Sequence, residues 1–139
     1  EIIVTGTNKK LYRSLKRRAK RSKKKMLVLG YTDKVNELMS VASVIITKPG
    51  GITTAEALSK KLPMIIIKPI PGQESCNAAY LVEKGVGIKL TKPREISIIM
   101  EELLAEPAKL KKLSAAAASI SKPGASMDIA RLLLGLPNA

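Results

Sequence analysis

Apolar and polar positions follow one another along this chain in a repeating order: a short run of aliphatic residues, then a stretch with helical spacing. The aliphatic runs fall at residues 2–5, 26–29, 44–47, 64–68 and 86–90, and the helical patterns between them at 9–21, 34–42, 53–61 and 74–84. Strands this short, each returned by a helix, call for right-handed crossovers and a parallel sheet covered by helices on both faces. The predicted fold class is therefore α/β, a doubly wound parallel sheet. After Pro93 the strand pattern stops, and three helices are predicted at 94–105, 108–120 and 126–134. Pro107 and the turn "SKPGAS" at 121–126 separate them, with Ser126 as a candidate N-cap. This divides the chain into an α/β domain at 1–92 and a helical segment at 93–139 that packs on it. No internal repeat of solenoid period is present.

Composition narrows the picture. The 139 residues are 45% hydrophobic, enough for a real core, yet the aromatics are three tyrosines alone. That disfavours single-stranded nucleic acid, which is usually held on aromatic platforms. The formal net charge is +14, and much of it comes from "NKKLYRSLKRRAKRSKKK" at 8–25, a block without an acidic residue. Such a block suits phosphate-rich partners, either nucleic acid or an anionic membrane surface, or it is a solvated helix face with no specific partner. Lone Cys76 excludes an intramolecular disulfide, and the absence of histidine removes both Cys/His metal sites and histidine acid-base chemistry. No run reaches the roughly 18 apolar residues of a membrane span, and the first residues read as a strand, not a leader with a basic front. The expectation is an intracellular chain, soluble or peripheral, that starts inside a strand as if cut from something longer.

In an open parallel sheet, ligands bind beyond the carboxyl ends of the strands. Four loops meet that condition: "TGTN" after Val4, "GYTD" after Leu29, "TKPGGITT" after Ile46 and "KPIPGQE" after Ile67. In "KPGGITT", Gly50 and Gly51 would let backbone N–H groups at the start of a helix approach a phosphate or diphosphate, helped by the helix dipole. A tight strand-to-helix turn would also use glycine, and the spacing fits neither a P-loop nor the dinucleotide glycine pattern. Glu56, one turn into that helix, would repel phosphate if it faced the same way. It suits the hydroxyls of a ribose, or it completes a capping box with Thr53. Gln73 and Glu74, with Asn77 one turn on, carry the donors and acceptors that grip vicinal sugar hydroxyls, and also the groups that ordinarily cap a helix.

Taken together, "GYTDKVNELM" at 30–39, "ITKPGGITTAEAL" at 46–58, "KPIPGQESCNAAYL" at 68–81 and "GVG" at 85–87 resemble the carboxyl-terminal half of the family 28 GT-B glycosyltransferases. Within that family the likeness is to the processive diacylglycerol glucosyltransferases and monogalactosyldiacylglycerol synthases, over most of residues 1–92. The resemblance implies a Rossmann-like half of a GT-B fold that binds a UDP-sugar. The turn Gly50, Gly51, Ile52 and Thr53 would hold the diphosphate, and Glu56 the ribose. Gln73 and Glu74, supported by Asn77, would read the sugar, and backbone at Tyr31 and Thr32 would face the uracil. It further implies UDP-glucose or UDP-galactose as donor with no cofactor and no metal, and diacylglycerol or a glycolipid as acceptor. The enzyme would be peripheral on the cytoplasmic face of a membrane, or on a plastid envelope if plant-type, and the basic block would meet anionic lipid.

Two parts of the family pattern have no counterpart here: the amino-terminal acceptor domain with its proposed general base, and the first strand of the nucleotide half with its glycine-rich loop. A catalytic residue is therefore not assigned, and the chain alone is expected to be inactive. Two rivals stand beside this reading. One is the transferase half that moves N-acetylglucosamine from its UDP donor to a lipid-linked peptidoglycan precursor. The other is a non-catalytic basic α/β module that binds nucleic acid or anionic membrane through residues 9–25 and has no need of Gly51, Glu56 or Gln73.

Overall fold

The computed structural model describes residues 1–135, so the last four positions of the predicted segment 93–139 lie outside the described residues. Twelve elements alternate as the hydrophobic pattern predicts: β1 (Ile2–Val4), α1 (Lys9–Arg21), β2 (Leu27–Leu29), α2 (Val35–Val41), β3 (Ile45–Thr47), α3 (Gly51–Ser59), β4 (Met64–Ile66), α4 (Gln73–Glu83) and β5 (Gly87–Lys89), then α5 (Glu95–Ala105), α6 (Pro107–Ile120) and α7 (Ala125–Leu133). Every strand pairing is parallel, so the α/β class holds. The ladders form two sheets, β1-β2 and β3-β4-β5. The chain correspondingly divides into two compact units, residues 1–38 and residues 39 onward.

In the first unit Ile3 pairs with Val28, and α1 returns the chain from β1 to β2. Asn8 caps α1, its Oδ1 accepting from the backbone N–H of Leu11 at 2.9 Å. Arg18, Lys20 and Arg21 fill the last turn, where the negative end of the helix dipole favours cations. Leu15 and Ala19 turn their half-buried side inward, and Val28 is buried. Ile2, Val4 and Leu27, at alternate positions on the other side of the pair, are 44–49% exposed, so here the expected cover on both faces is not met.

In the second unit β4 is the middle strand, and Met64, Ile65 and Ile66 are all buried, as a strand covered on both faces requires. Ile65 packs with Leu90 and with Leu103 of α5, and Ile96, Ile99, Met100 and Leu113 surround that cluster. Thus α5 and α6 close one face of the sheet. At the start of β5, Gly87 has no room for a side chain: a Cβ there would stand 2.7 Å from Ile66 Cδ1 and 3.3 Å from Leu81 Cβ. That close approach explains the second glycine of "GVG".

Two local expectations are corrected. Helix α7 begins at Ala125 with Gly124 as its N-cap, so Ser126 lies inside the first turn and caps nothing. Helix α3 begins at Gly51, two residues before the expected start, because no side chain stops it there and Thr54 N–H already bonds the Gly50 carbonyl at 2.8 Å.

Candidate functional site

The early start of α3 decides how its first turn works. Gly50 is the N-cap and offers no side chain, so the N–H groups of Gly51, Ile52 and Thr53 have no acceptor among the described residues. Thr53 is the third helical residue and Glu56 the sixth, so the capping box considered from sequence does not form. Glu56 is exposed, and its carboxylate makes no hydrogen bond or ion pair among the described residues.

Glycine at 50 and 51 is not demanded by the turn either. Gly50 sits at φ −65°, ψ 147°, extended backbone open to any residue, and a Cβ added to it would meet nothing within 4 Å. Gly51 likewise has no left-handed φ, and its Cβ would meet only Gln73 Nε2, at an ordinary 3.9 Å. The fold would accept side chains at both positions. What their absence secures is open space in front of three unsatisfied N–H groups, which is the arrangement an anion needs.

The turn is held from behind. Pro49 is fully buried, and its carbonyl accepts from Asn77 Nδ2 at 2.8 Å. Asn77 therefore joins α4 to the turn ahead of α3, and the same packing brings Gln73 to the side of Gly51. Glu74 is partly engaged: its Oε2 accepts from the Ile70 N–H at 2.7 Å, while Ser75 Oγ donates to the Ile70 carbonyl at 3.2 Å.

In the "KPIPGQE" loop the conformation does demand glycine, since Gly72, the N-cap of α4, has φ 97° and ψ −130°. Lys68 is strained, with φ 40° directly before Pro69. Thr54 Oγ1 is buried with no partner among the described residues, an unsatisfied polar atom in the first turn of α3. Pro49, Lys68, Gly72 and Thr54 were not singled out from sequence. The Pro-Gly dipeptides at 49–50 and 71–72 mark the turns, but burial and backbone angles show only in the fold.

The second unit thus assembles Gly50, Gly51, Ile52, Thr53, Gln73 and Asn77 at the carboxyl ends of β3 and β4, with Glu56 one turn further along α3. Tyr31 and Thr32 belong to the first unit. Tyr31 is 78% exposed beside a depression of about 310 Å³ lined by Gly6, Thr7, Lys9, Tyr12 and Gly30, and Thr32 Oγ1 accepts from Lys34 N–H at 3.1 Å. Among the described residues no group of three or more His, Cys, Asp or Glu is placed to hold a metal, and no helix is long and apolar enough to cross a membrane.

An uncapped, glycine-fronted helix start thus stands at the carboxyl edge of a parallel sheet in an α/β domain. The chain belongs to the glycosyltransferase family 28 C-terminal domain, which it matches over residues 1–132. It is 39% identical over 137 residues to a processive diacylglycerol beta-glucosyltransferase of Staphylococcus saprophyticus, covering 99% of this chain and 35% of that protein. A protein of the same description from Staphylococcus epidermidis is 42% identical over 113 residues, covering 81% of this chain and 29% of its own. The chain spans about a third of the length of the curated relatives it matches. Among solved structures, Anabaena HepE in complex with UDP-glucose is 20% identical with a TM-score of 0.64, over 97% of this chain and 40% of that one. The glycotransferase of kitacinnamycin is 23% identical with a TM-score of 0.63, over 81% of this chain and 30% of that one. These two likenesses show the shared fold.

Proposed function

We propose that this chain is the donor-binding half of a glycosyltransferase that moves glucose or galactose from a UDP-sugar to diacylglycerol or a glycolipid. The observation that carries the reading is the first turn of α3, where three N–H groups face open space across two glycines that the fold does not need. The diphosphate sits there, on the positive end of the helix. Glu56, unpaired and exposed, receives the ribose hydroxyls. Gln73, beside Gly51, and the remaining oxygen of Glu74 meet the sugar, with Asn77 acting through the turn it holds. Tyr31 and Thr32 serve the uracil. No metal or cofactor takes part: the acceptor hydroxyl attacks the anomeric carbon, the bond to the diphosphate breaks, and its electron pair leaves on UDP, whose charge the N–H groups stabilise. The acceptor's proton goes to a general base in an amino-terminal acceptor domain of the whole enzyme. The names of the relatives at 36–42% identity support the lipid acceptor and favour it over the peptidoglycan precursor. Such an enzyme works peripherally, at the cytoplasmic face of a membrane.

Calorimetric titration with UDP tests the site. Gly51→Val should weaken UDP binding at least tenfold, because its branched side chain covers the N–H groups, a loss of about 1.4 kcal/mol or more. It should leave the thermal midpoint about unchanged, since glycine inside a helix costs about 0.5–1 kcal/mol relative to Ala and β-branched Val lies between the two. Equal UDP affinity in a folded Gly51→Val chain would remove the diphosphate from this turn.

A further inference from the structure

Strands β3 and β4 are neighbours in the ladder, and each runs out into a Lys-Pro pair at the edge where α3 and α4 begin: Lys48-Pro49 and Lys68-Pro69. These lysines are the only cations in the loops 48–50 and 67–72. Both are exposed, and neither side chain makes a hydrogen bond or an ion pair among the described residues. Thr47 pairs with Ile66, and the Ile67 N–H donates to the Thr47 carbonyl at 3.1 Å, so Lys68 leaves the sheet one residue beyond that bond, alongside the turn into α3. Its φ of 40° lies in the left-handed region, which a residue with a side chain occupies at a cost and glycine does not. Lys61, the other non-glycine residue with a positive φ among the described residues, closes α3 at 55°, a usual place for such an angle, and its carbonyl accepts from Ser114 Oγ. Position 68 has no helix end and no packed side chain to call for lysine. Glycine would serve the backbone better there.

We infer that Lys68 is the cation that meets the diphosphate of the donor and balances its charge as the bond to the sugar breaks. This rests on the donor site proposed above. A diphosphate brings roughly two to three negative charges, while the start of α3 offers only about half a positive one. Glu56 and Glu74 each add a negative charge on the same edge, so the N–H groups of the first turn leave most of the charge unanswered. An ammonium on a flexible stem follows an anion whose charge grows on bond breaking, and it does so best where protein dipoles already point at that anion. Lys68 opens the same loop that ends in Gln73, the residue beside Gly51. Lys48 is the rival cation, but its backbone carries no strain that a ligand would have to explain.

Calorimetric titration of this chain with UDP and with uridine, which has no phosphate, tests the assignment. K68Q should weaken UDP at least tenfold, as loss of a charge-assisted contact does, and leave uridine within about twofold. K68R keeps the charge and should bind UDP within a few-fold of the parent. The control K60Q removes a charge from the exposed far end of α3, about 13 Å along the helix from Gly51, and should change UDP affinity less than about threefold. K68G should lose UDP affinity as K68Q does yet melt no lower than the parent, because glycine accepts the left-handed φ. Parental UDP affinity in K68Q would overturn the assignment, and so would an equal loss for UDP and uridine or a K68G chain that melts lower, either of which would make the lysine structural. Loss in K48Q with none in K68Q would move the charge to Lys48. Gly51→Val separates the two readings: UDP binding that it weakens and K68Q does not would sink Lys68 alone, whereas UDP binding indifferent to Gly51→Val would sink the donor site and Lys68 with it.

Discussion

Single residues divide here into those the backbone demands and those it merely tolerates. Gly72 is demanded by its left-handed φ and Gly87 by the atoms packed against it, whereas Gly50 and Gly51 are free choices of the fold. A composition count treats all four alike. Glu95 shows a residue whose role is local and titratable: Thr91 Oγ1 donates to its Oε1 at 2.6 Å, and the N–H groups of Thr91 and Lys92 donate to Oε2 at 2.8 and 3.2 Å. The Thr91 hydroxyl first, then the two backbone N–H groups, hold its carboxyl below the usual value of 4.5. A lowered folded pKa means the stabilisation is present above the unfolded pKa and is lost as pH falls through the folded one. Glu95→Gln should therefore lower the thermal midpoint near neutral pH, with the gap to the parent closing below about pH 4. A gap that stays constant down to pH 3 would show that the carboxylate charge is not what α5 uses.

At the scale of elements, the helix starts differ in how they are closed. Asn8 gives α1 a side-chain cap, while α3 has none and α4 has only Gly72 with the Glu74 carboxylate reaching back to Ile70. Asn8→Ala should cost about 1 kcal/mol, read in urea unfolding as a lower midpoint at unchanged slope. No change would mean that packing of Leu15 and Ala19 alone holds α1. The existence and order of the twelve elements among the described residues were legible from hydrophobic spacing, and most boundaries fell within one or two residues. The α3 boundary mattered most, because moving it from 53 to 51 turns Thr53 from a cap into a donor of a free N–H. Sequence could not show this, since Thr-x-x-Glu is a good cap in isolation, and the bond from Thr54 N–H to the Gly50 carbonyl that opens the helix shows only in the fold.

For the whole molecule, the core of the second unit is tied together late in the chain. Leu103, 2% exposed on α5, packs on Ile65 of β4 and on Leu90, while Ser114 Oγ of α6 donates to the Lys61 carbonyl at 2.7 Å and Lys109 pairs with Glu102 across the α5-α6 corner. Leu103→Ala should cost about 2–5 kcal/mol by leaving a cavity under the sheet. Its effect on UDP affinity in the still-folded protein should be small, because the residue lies away from the first turn of α3. A stability loss under 1 kcal/mol would show that the face closes without α5.

By itself the sequence determined the α/β class, the order of elements, the excess of positive charge at 8–25 and the family likeness carried by the "KPGG" and "PGQE" loops, because these rest on residue type and spacing along the chain. The tertiary structure alone decided which glycines are structural, that Asn77 holds the Pro49 carbonyl, that Glu56 is left unpaired and that the strands form two sheets. Each of those depends on atoms distant in sequence brought within a few ångströms, and no local pattern encodes such a distance.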